Sequence, residues 1–529
     1  MMVRLGEVRN LLSFALRYPG FLRRRVTVAQ ARSEIRHRLA HRGDNLLRWV
    51  RRAVYDRPAS PYRALLHLAG CAWDDLERDV RKDGVEATLL ALRRAGVYVS
   101  YEEFKGRQPI VRHGREIPTG PGAFDNPFRG AALERTTGGS TGNPTRVMVD
   151  LDYFSSRAAN LAVVDDVHGV LDTPWGLWFG VLPDCGPNVV LSRLPYAPPP
   201  ERWFTPVASG ELRRSWRMRL GNAVVVRGAR WSGRPIPAPE PVPLEGAGTI
   251  ARWMWETVRR RGRCLLKTYV SLAMRVSRAA MEQGLSLQGA VFTGGGEPPT
   301  EAKVRAIERS GATFLPTYFF AEGGPVGAAC RAAKGVNDLH LLEDRLALVP
   351  FPRPMGATSV DAFLFTTLLP SAPKLLLNVE SDDYGVVEER RCGCGLEAEG
   401  YGRHVRDIRS FGKLTSDGMT LIGSEALRVL EDVLPSRFAA SPLDFQLIEA
   451  EDADALTRLL LVVSPRVAAD DDEIVSAMLD GLAQGPPAAD LARAIWRQAG
   501  TVRVIRREPS ATVVGKSRPL GLRSRDEVA

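Results

Sequence analysis

The sequence predicts an α/β protein. A large N-terminal domain carries a parallel α/β sheet and a small antiparallel or β-barrel-like part, and a small α+β domain follows it. Three observations predict this. Between Ser271 and Pro316 the order is helix, strand, glycine-rich turn, helix, strand, the pattern of a parallel sheet. Residues 340–386 instead alternate apolar and polar positions in short pieces, as antiparallel strands do. After Gly412 the texture changes again, to strand, helix and strand within about a hundred residues, an ordinary domain size.

Composition narrows the class. A chain of 529 residues is too long for one ordinary core, so two to four domains are expected. With 44% hydrophobic and 25% charged residues it reads as a soluble globular protein. No uninterrupted apolar run is long enough to predict a membrane span. The basic N-terminus lacks the apolar segment and small-residue cleavage site of a signal peptide. Six cysteines in so long a chain do not make a disulfide scaffold and fit a reducing cytoplasm. The net charge of +11 is concentrated in residues 1–60, where fourteen arginines meet four acidic residues. Without a basic stripe interleaved with stacking aromatics, nucleic-acid binding is not expected.

Taken in order, residues 1–60 read as a basic helical extension. Leu11, Leu12, Phe14, Ala15 and Leu16 form one apolar cluster, and Leu46, Leu47, Val50 and Val54 another. Arg23-Arg24-Arg25 between them reads as a solvated face, with an acidic partner or an anionic membrane surface as the functional alternative. Residues 61–105 form a helical layer, and the approach from Arg107 to Pro127 is loosened by prolines. Arg146 to Asp150 reads as a strand, Tyr153 to His168 as a helix, and Trp175 to Leu182 as a buried strand. Proline at every other position from Pro235 to Pro243 excludes helix and predicts an extended, linker-like connection. Helices follow at Thr249 to Arg260 and Ser271 to Gly284. Ala290 to Thr293 is a strand, Glu301 to Arg309 a helix, and Ala312 to Pro316 a strand. In the last domain Leu456 to Val463 and Val502 to Arg506 read as strands around a helix from Asp472 to Leu482.

Chemistry concentrates first at Thr137-Gly138-Gly139-Ser140-Thr141-Gly142-Asn143-Pro144-Thr145. Glycines let the backbone approach a ligand, and the exposed N–H groups and hydroxyls suit phosphate oxygens. The plainer alternative is a polar hairpin turn. The loop lacks the Gly-Lys-Ser/Thr ending of a Walker A motif. Three further segments follow: Gly295-Gly296-Glu297-Pro298, Tyr318 to Gly324, and Phe411-Gly412-Lys413 with Ser416-Asp417-Gly418-Met419.

In order and spacing these four segments resemble the phenylacetate–CoA ligase family of adenylate-forming, acyl-CoA synthetase-like enzymes. The resemblance runs from about Pro61 to the C-terminus. It implies an adenylate-forming domain over 61–412 and a mobile C-terminal domain over 413–529. It also implies that ATP and a carboxylic acid, of aryl or arylacetic type, give an acyl-adenylate, which a thiol, CoA, then takes up. The alternatives are transfer to an acyl carrier protein, an amine or another nucleophile, and a nucleotide-binding homologue without turnover. The basic extension would dock an acidic carrier protein in the first alternative, and a homodimer is left open.

By that resemblance Thr137, Gly138, Gly139, Ser140, Thr141 and Gly142 hold the departing phosphates. Tyr318 packs on adenine above Gly295, Gly296, Glu297 and Pro298. Asp383 accepts from both ribose hydroxyls, with Asp382 as the neighbour not excluded. Glu322 holds Mg²⁺, a hard cation that prefers oxygen ligands. Lys413 is the nearest cation at the interdomain hinge, although Thr415 is in strict register there. Lys516 reaches the acyl and α-phosphate oxygens during adenylation. Ala321, Phe319 and Gly138 depart from the family pattern. Some relatives look as if they carry a structural zinc. Here Cys330, His340, Cys392 and Cys394 offer thiolates and an imidazole for tetrahedral Zn²⁺, the alternative being ordinary reduced cysteines. Trp175, Trp178, Phe179 and Phe292 line either an aryl pocket or the core.

Overall fold

The structure, a computed structural model, describes residues 5–106, 108–120, 122–130, 132–136, 146–181, 185–206, 216–296, 299, 301–355, 358–410, 413–416, 419–451, 457–482, 501–510 and 519–522. Its class is mixed α/β, with one large mixed sheet and a separate small sheet. The strands are β1 (Ile110–Arg112), β2 (Arg115–Ile117), β3 (Ala132–Thr136), β4 (Arg146–Asp150), β5 (Trp175–Trp178), β6 (Arg202–Thr205), β7 (Glu240–Pro241), β8 (Cys264–Tyr269), β9 (Ala290–Gly295), β10 (Thr313–Phe320) and β11 (Gly324–Ala329). They continue with β12 (Leu339–Leu341), β13 (Leu346–Met355), β14 (Thr358–Thr367), β15 (Val379–Glu389) and β16 (Arg403–Ser410).

Twelve of these form one sheet in the order β13-β14-β15-β16-β12-β11-β10-β9-β8-β5-β6-β7. From β10 through β9, β8, β5 and β6 to β7 all pairings are parallel. From β10 outward to β13 they are antiparallel. The parallel half is covered on both faces, which is why β5 and β9 are apolar almost throughout. The region expected as an antiparallel sheet or small barrel is the first of these, the antiparallel half of this sheet, with β13 at its edge. Alternation of apolar and polar residues is common to both outcomes, so it could not choose between them.

Two expectations for the connections change. The proline-rich stretch before Pro243 contributes β7 to the sheet edge, with Ile236 and Val242 buried, so it is anchored rather than linker-like. The helices of the first sixty residues, α1 (Leu5–Arg23), α2 (Val28–Ala40) and α3 (Arg42–Val50), are built into the large domain rather than set outside it. Phe14 and Tyr18 are buried in the core of the parallel half, and Trp49 and Val50 in that of the antiparallel half. Their arginines meet acids distant in sequence: Arg32 pairs with Asp166 and Glu399, Arg38 with Asp344, and Arg42 with Glu86. Composition shows the surplus of arginine but not these partners. Only tertiary packing supplies them.

Further helices are α4 (Pro61–Leu68), α5 (Trp73–Asp83), α6 (Val85–Arg94), α7 (Tyr101–Phe104) and α8 (Leu151–Val167). The last is tied to the parallel sheet by a buried cluster. Asp165 accepts from Arg193 at 2.8 Å and from the Tyr196 hydroxyl at 2.7 Å, with Lys267 of β8 at 3.5 Å. Burial works against the charged carboxylate, yet Lys267 and Arg193 hold Asp165 below the usual carboxylate range.

Beyond the large sheet, β17 (Lys413–Ser416) and β18 (Met419–Ile422) form a hairpin. Then β19 (Phe445–Glu451), β20 (Thr457–Val463), β21 (Val502–Arg506) and β22 (Leu520–Leu522) make the small sheet, order β21-β20-β19-β22. With the helix Asp471–Leu482 they enclose their own core, centred on Leu447, Leu461 and Met478. Lys303 and Glu431, both almost fully buried, join this part to the large domain at 2.5 Å. No helix among the described residues is long and apolar enough to cross a membrane.

Candidate functional site

The carboxyl ends of β9 and β10 and the start of β15 converge, the place where open α/β sheets bind ligands. At the end of β9 the chain must be glycine for a steric reason. A Cβ on Gly295 would lie 2.2 Å from the carbonyl oxygen of Thr317 on β10, and Gly296 then turns with φ of +80°. The strand β10 brings Tyr318 across to β15, where its hydroxyl donates to Asp383 Oδ2 at 2.6 Å. Gly296, Pro299, Tyr318, Phe319, Asn337 and Asp383 surround a cavity of about 120 Å³. Gly296, Tyr318 and Asp383, expected together from sequence, therefore share one wall.

On the other side of Asp383 lies a second cavity of about 140 Å³, lined among others by Tyr101, Phe104, Lys105, Glu322, Ser381 and Asp383. Glu322 sits in the turn between β10 and β11 and is 6% exposed. Its Oε1 accepts from Lys105 Nζ at 2.8 Å. A single buried carboxylate facing a cavity suits a hard divalent cation completed by phosphate oxygens, but the cation must displace an ammonium. Lys105 was not singled out by sequence. One lysine at the end of a four-residue helix carries no motif, and its partner is 217 residues away.

Several expected residues lie outside the described ones: Thr137, Gly138, Gly139, Ser140, Thr141, Gly142, Glu297, Pro298 and Lys516. The strands bracketing the Gly/Ser/Thr segment, β3 and β4, pair antiparallel with Thr136 opposite Arg146. Lys413 stands opposite Ile422 in the β17–β18 hairpin. The aromatic residues weighed for an aryl pocket are core: Trp175, Trp178 and Phe292 are fully buried. Phe179 meets Tyr269 edge to face at 4.7 Å, while Trp178 donates to the carbonyl of Val242.

A second constellation gathers behind the sheet. Cys330 follows β11, His340 lies on β12, and Cys392 and Cys394 follow β15. His340 Nε2 is 3.0 Å from Cys394 Sγ and 3.4 Å from Cys392 Sγ, and its Nδ1 is 3.0 Å from the Tyr401 carbonyl. The four expected donors therefore come together, but the structure adds a fifth. His404 on β16 is the direct partner of His340 on β12, with the rings 4.1 Å apart. Ligand atoms of Cys330, His340, Cys392 and His404 all lie within 4.8 Å of one another. His404 Nδ1 is 2.9 Å from Asp338 Oδ1 and 2.8 Å from Arg390 Nη2, which itself donates to Asp338, and the buried His404 Nε2 has no hydrogen-bond partner. A carboxylate on Nδ1 and a bare Nε2 are what a metal-ligating imidazole needs. Sequence spacing cannot reveal His404, because it joins the set only through the β12–β16 register.

Without a cation the surroundings keep the His340 imidazole neutral and the Cys330 and Cys392 thiols protonated, so a metal would have to displace those thiol protons to gain thiolate ligands. Burial and the neighbouring His404 push the His340 imidazole down to about 4, keeping it neutral. Burial raises the Cys330 thiol to about 12. Burial also opposes ionisation of Cys394, yet the backbone N–H groups of Glu397 and Leu396 draw it below the ordinary thiol value. Neutral imidazole and thiolate sulfur would suit Zn²⁺, and four such ligands would make the site structural rather than catalytic. None of the six cysteines is in a disulfide.

No family model matches the chain, and no curated protein matches it. Among solved structures it is similar to a 2-hydroxyisobutyryl-CoA ligase in complex with 2-HIB-AMP and CoA, at 16% identity over 95% of this chain and 88% of that one, TM-score 0.42. It is similar to the amide bond synthetase McbA from Marinactinospora thermotolerans, at 13% identity over 96% and 98%, TM-score 0.40. A third is the acetoacetyl-CoA synthetase from Streptomyces lividans, at 12% identity over 82% and 62%, TM-score 0.44.

Proposed function

We propose that this protein activates a carboxylic acid with ATP, releasing pyrophosphate and forming an acyl-adenylate. The acyl group then passes to the thiol of CoA, giving a thioester and AMP, and the acid is of aryl or arylacetic type. The observation that carries the reading is the Tyr318–Asp383 pair at the carboxyl edge of the parallel strands, beside the buried Glu322. In this reading Asp383, steadied by the Tyr318 hydroxyl, accepts from the ribose hydroxyls. The tight β9–β10 approach at Gly295 gives the base a flat floor at Gly296. Glu322 supplies the carboxylate for a magnesium ion, whose chemistry is to neutralise phosphate charge as it develops. The segment from Thr137 to Gly142 grips the departing phosphates, and Lys516 reaches the oxygens of the reacting carboxylate. A structural zinc on the thiol–imidazole cluster would brace the junction of β11, β12 and β16.

The test is acid-dependent exchange of labelled pyrophosphate into ATP over a panel of aryl, arylacetic and aliphatic acids. Exchange with at least one acid, followed by thioester formation with CoA, is the expected result. ATP binding without exchange for any acid would leave a nucleotide-binding protein without turnover. Exchange without CoA transfer would redirect the search to carrier-protein thiols and amines.

A further inference from the structure

Lys105 is held in place by its own short segment. The backbone N–H of Ser100 donates to Glu103 Oε2 at 2.8 Å, and Ser100 Oγ accepts from the Glu103 N–H in return, capping α7. Glu103 also pairs with Arg112 at 2.6 Å. The chain just before α7 runs beside the start of β15, where Glu380 N–H donates to the Val99 carbonyl. Lys105, at the end of α7, is thereby carried to the cavity that Asp383 and Glu322 share.

We propose that Lys105 is the internal counter-cation of Glu322, and that it exchanges this carboxylate for a phosphate oxygen of the nucleotide when a divalent cation takes Glu322. The proposal rests on the acid-activating reading of the site. Both partners are largely buried, with side-chain exposures of 15% and 7%. A carboxylate left alone at that depth is costly, so it keeps a cation of one kind or the other. The ammonium in turn has somewhere to go. Tyr101 and Phe104 present ring centroids 5.6 and 5.7 Å from its Nζ, which keeps a positive charge tolerable within the cavity. The cavity's other carboxylates are engaged elsewhere, Glu380 with Arg353 and Asp383 with Tyr318. Lysine suits the exchange better than arginine, because a compact charge on a flexible stem changes partners without bidentate geometry to break. No bond is made or broken. One ion pair becomes two, carboxylate with divalent cation and ammonium with phosphate.

The exchange has a signature of opposite signs. In the full-length protein Mn²⁺ binding without nucleotide is measured from the free-ion electron paramagnetic resonance signal, and MgATP binding by calorimetry. Lys105→Met is expected to bind Mn²⁺ about tenfold more tightly, because the competing ammonium is gone, and MgATP about tenfold more weakly. Lys105→Arg should stay near wild type in Mn²⁺ binding, and Glu322→Gln should lose this Mn²⁺ site. Lys105→Gln serves the same comparison if the methionine variant does not fold. Unchanged or weaker Mn²⁺ binding in the charge-removed variant overturns the proposal, and so does unchanged MgATP affinity. The Mn²⁺ measurement needs no turnover, so the two readings fail separately. A wild-type protein that exchanges pyrophosphate with no acid refutes the enzyme reading. An active enzyme without the opposite-sign pattern refutes only the role of Lys105.

Discussion

Tyr318→Phe removes one oxygen and leaves the ring, so it isolates the hydroxyl bond to Asp383. At 2.6 Å this is a short O–H···O⁻ contact. Hydrogen bonds to charged groups contribute roughly 1.5–3 kcal/mol to stability, and the part-buried setting here favours the lower end. If Asp383 holds the ribose, freeing its carboxylate costs about 1.5 kcal/mol of nucleotide binding, or about a tenfold rise in the dissociation constant for ATP. The ring contact with Phe365 at 6.4 Å is retained, so the melting temperature should fall only by the few degrees that the lost hydrogen bond itself accounts for. Calorimetric titration of wild type, Tyr318→Phe, Asp383→Asn and the double variant gives the full cycle. The two single losses should overlap, because both remove the same pair. Strictly additive losses, or ATP binding indifferent to Asp383→Asn, would refute the nucleotide assignment of this wall.

Other perturbations address the remaining parts. Gly295→Ala should abolish pyrophosphate exchange and lower the melting temperature together, since its Cβ meets a backbone oxygen that only strand separation can move. Asp165→Asn leaves Arg193 and Lys267 buried beside a neutral amide and should destabilise by about 3–5 kcal/mol, read as a lower denaturation midpoint. Because the folded Asp165 is held below its ordinary value, its contribution is present above about pH 4 and is lost as pH falls through the folded value. For the metal cluster, zinc analysis should find about one ion per chain. Cys394→Ala or His404→Ala alone should retain it, because four donors remain, whereas Cys330→Ser with Cys392→Ser should lose it. Full zinc content in that double variant would remove the cluster from consideration. Lys516→Ala is expected to stop adenylation while a supplied acyl-adenylate still reacts with CoA, and equal loss of both half-reactions would count against its assigned role.

Elements with strong local periodicity were legible in the sequence. The strand and helix expected at Leu456 to Val463 and Asp472 to Leu482 appear within a residue of those limits, and the helix expected from Tyr153 to His168 runs from Leu151 to Val167. Each carries its own apolar pattern, and Asp150 caps the third through the Tyr153 N–H, so each conformation follows from neighbours in the chain. Alternation in the 340–386 region marked antiparallel strands but not their closure, because pairing at a sheet edge leaves no trace in period. The first sixty residues misled for a related reason. Fourteen arginines look like an exposed arm until Asp166, Glu399, Asp344 and Glu86 are brought beside three of them.

The sequence by itself determined the α/β class, the glycine-rich ends of the strands, and the residue types that suit a nucleotide and a thiol–imidazole metal centre. These depend on local sterics and on functional-group chemistry, which travel with the residue. Only the tertiary structure decided which side chains meet. His404 joins His340 through the register of β12 and β16, Tyr318 meets Asp383 across 65 residues, and Lys105 meets Glu322 across 217. Such pairs are set by how strands line up and how a short helix is pinned to a sheet. No spacing along the chain encodes that alignment.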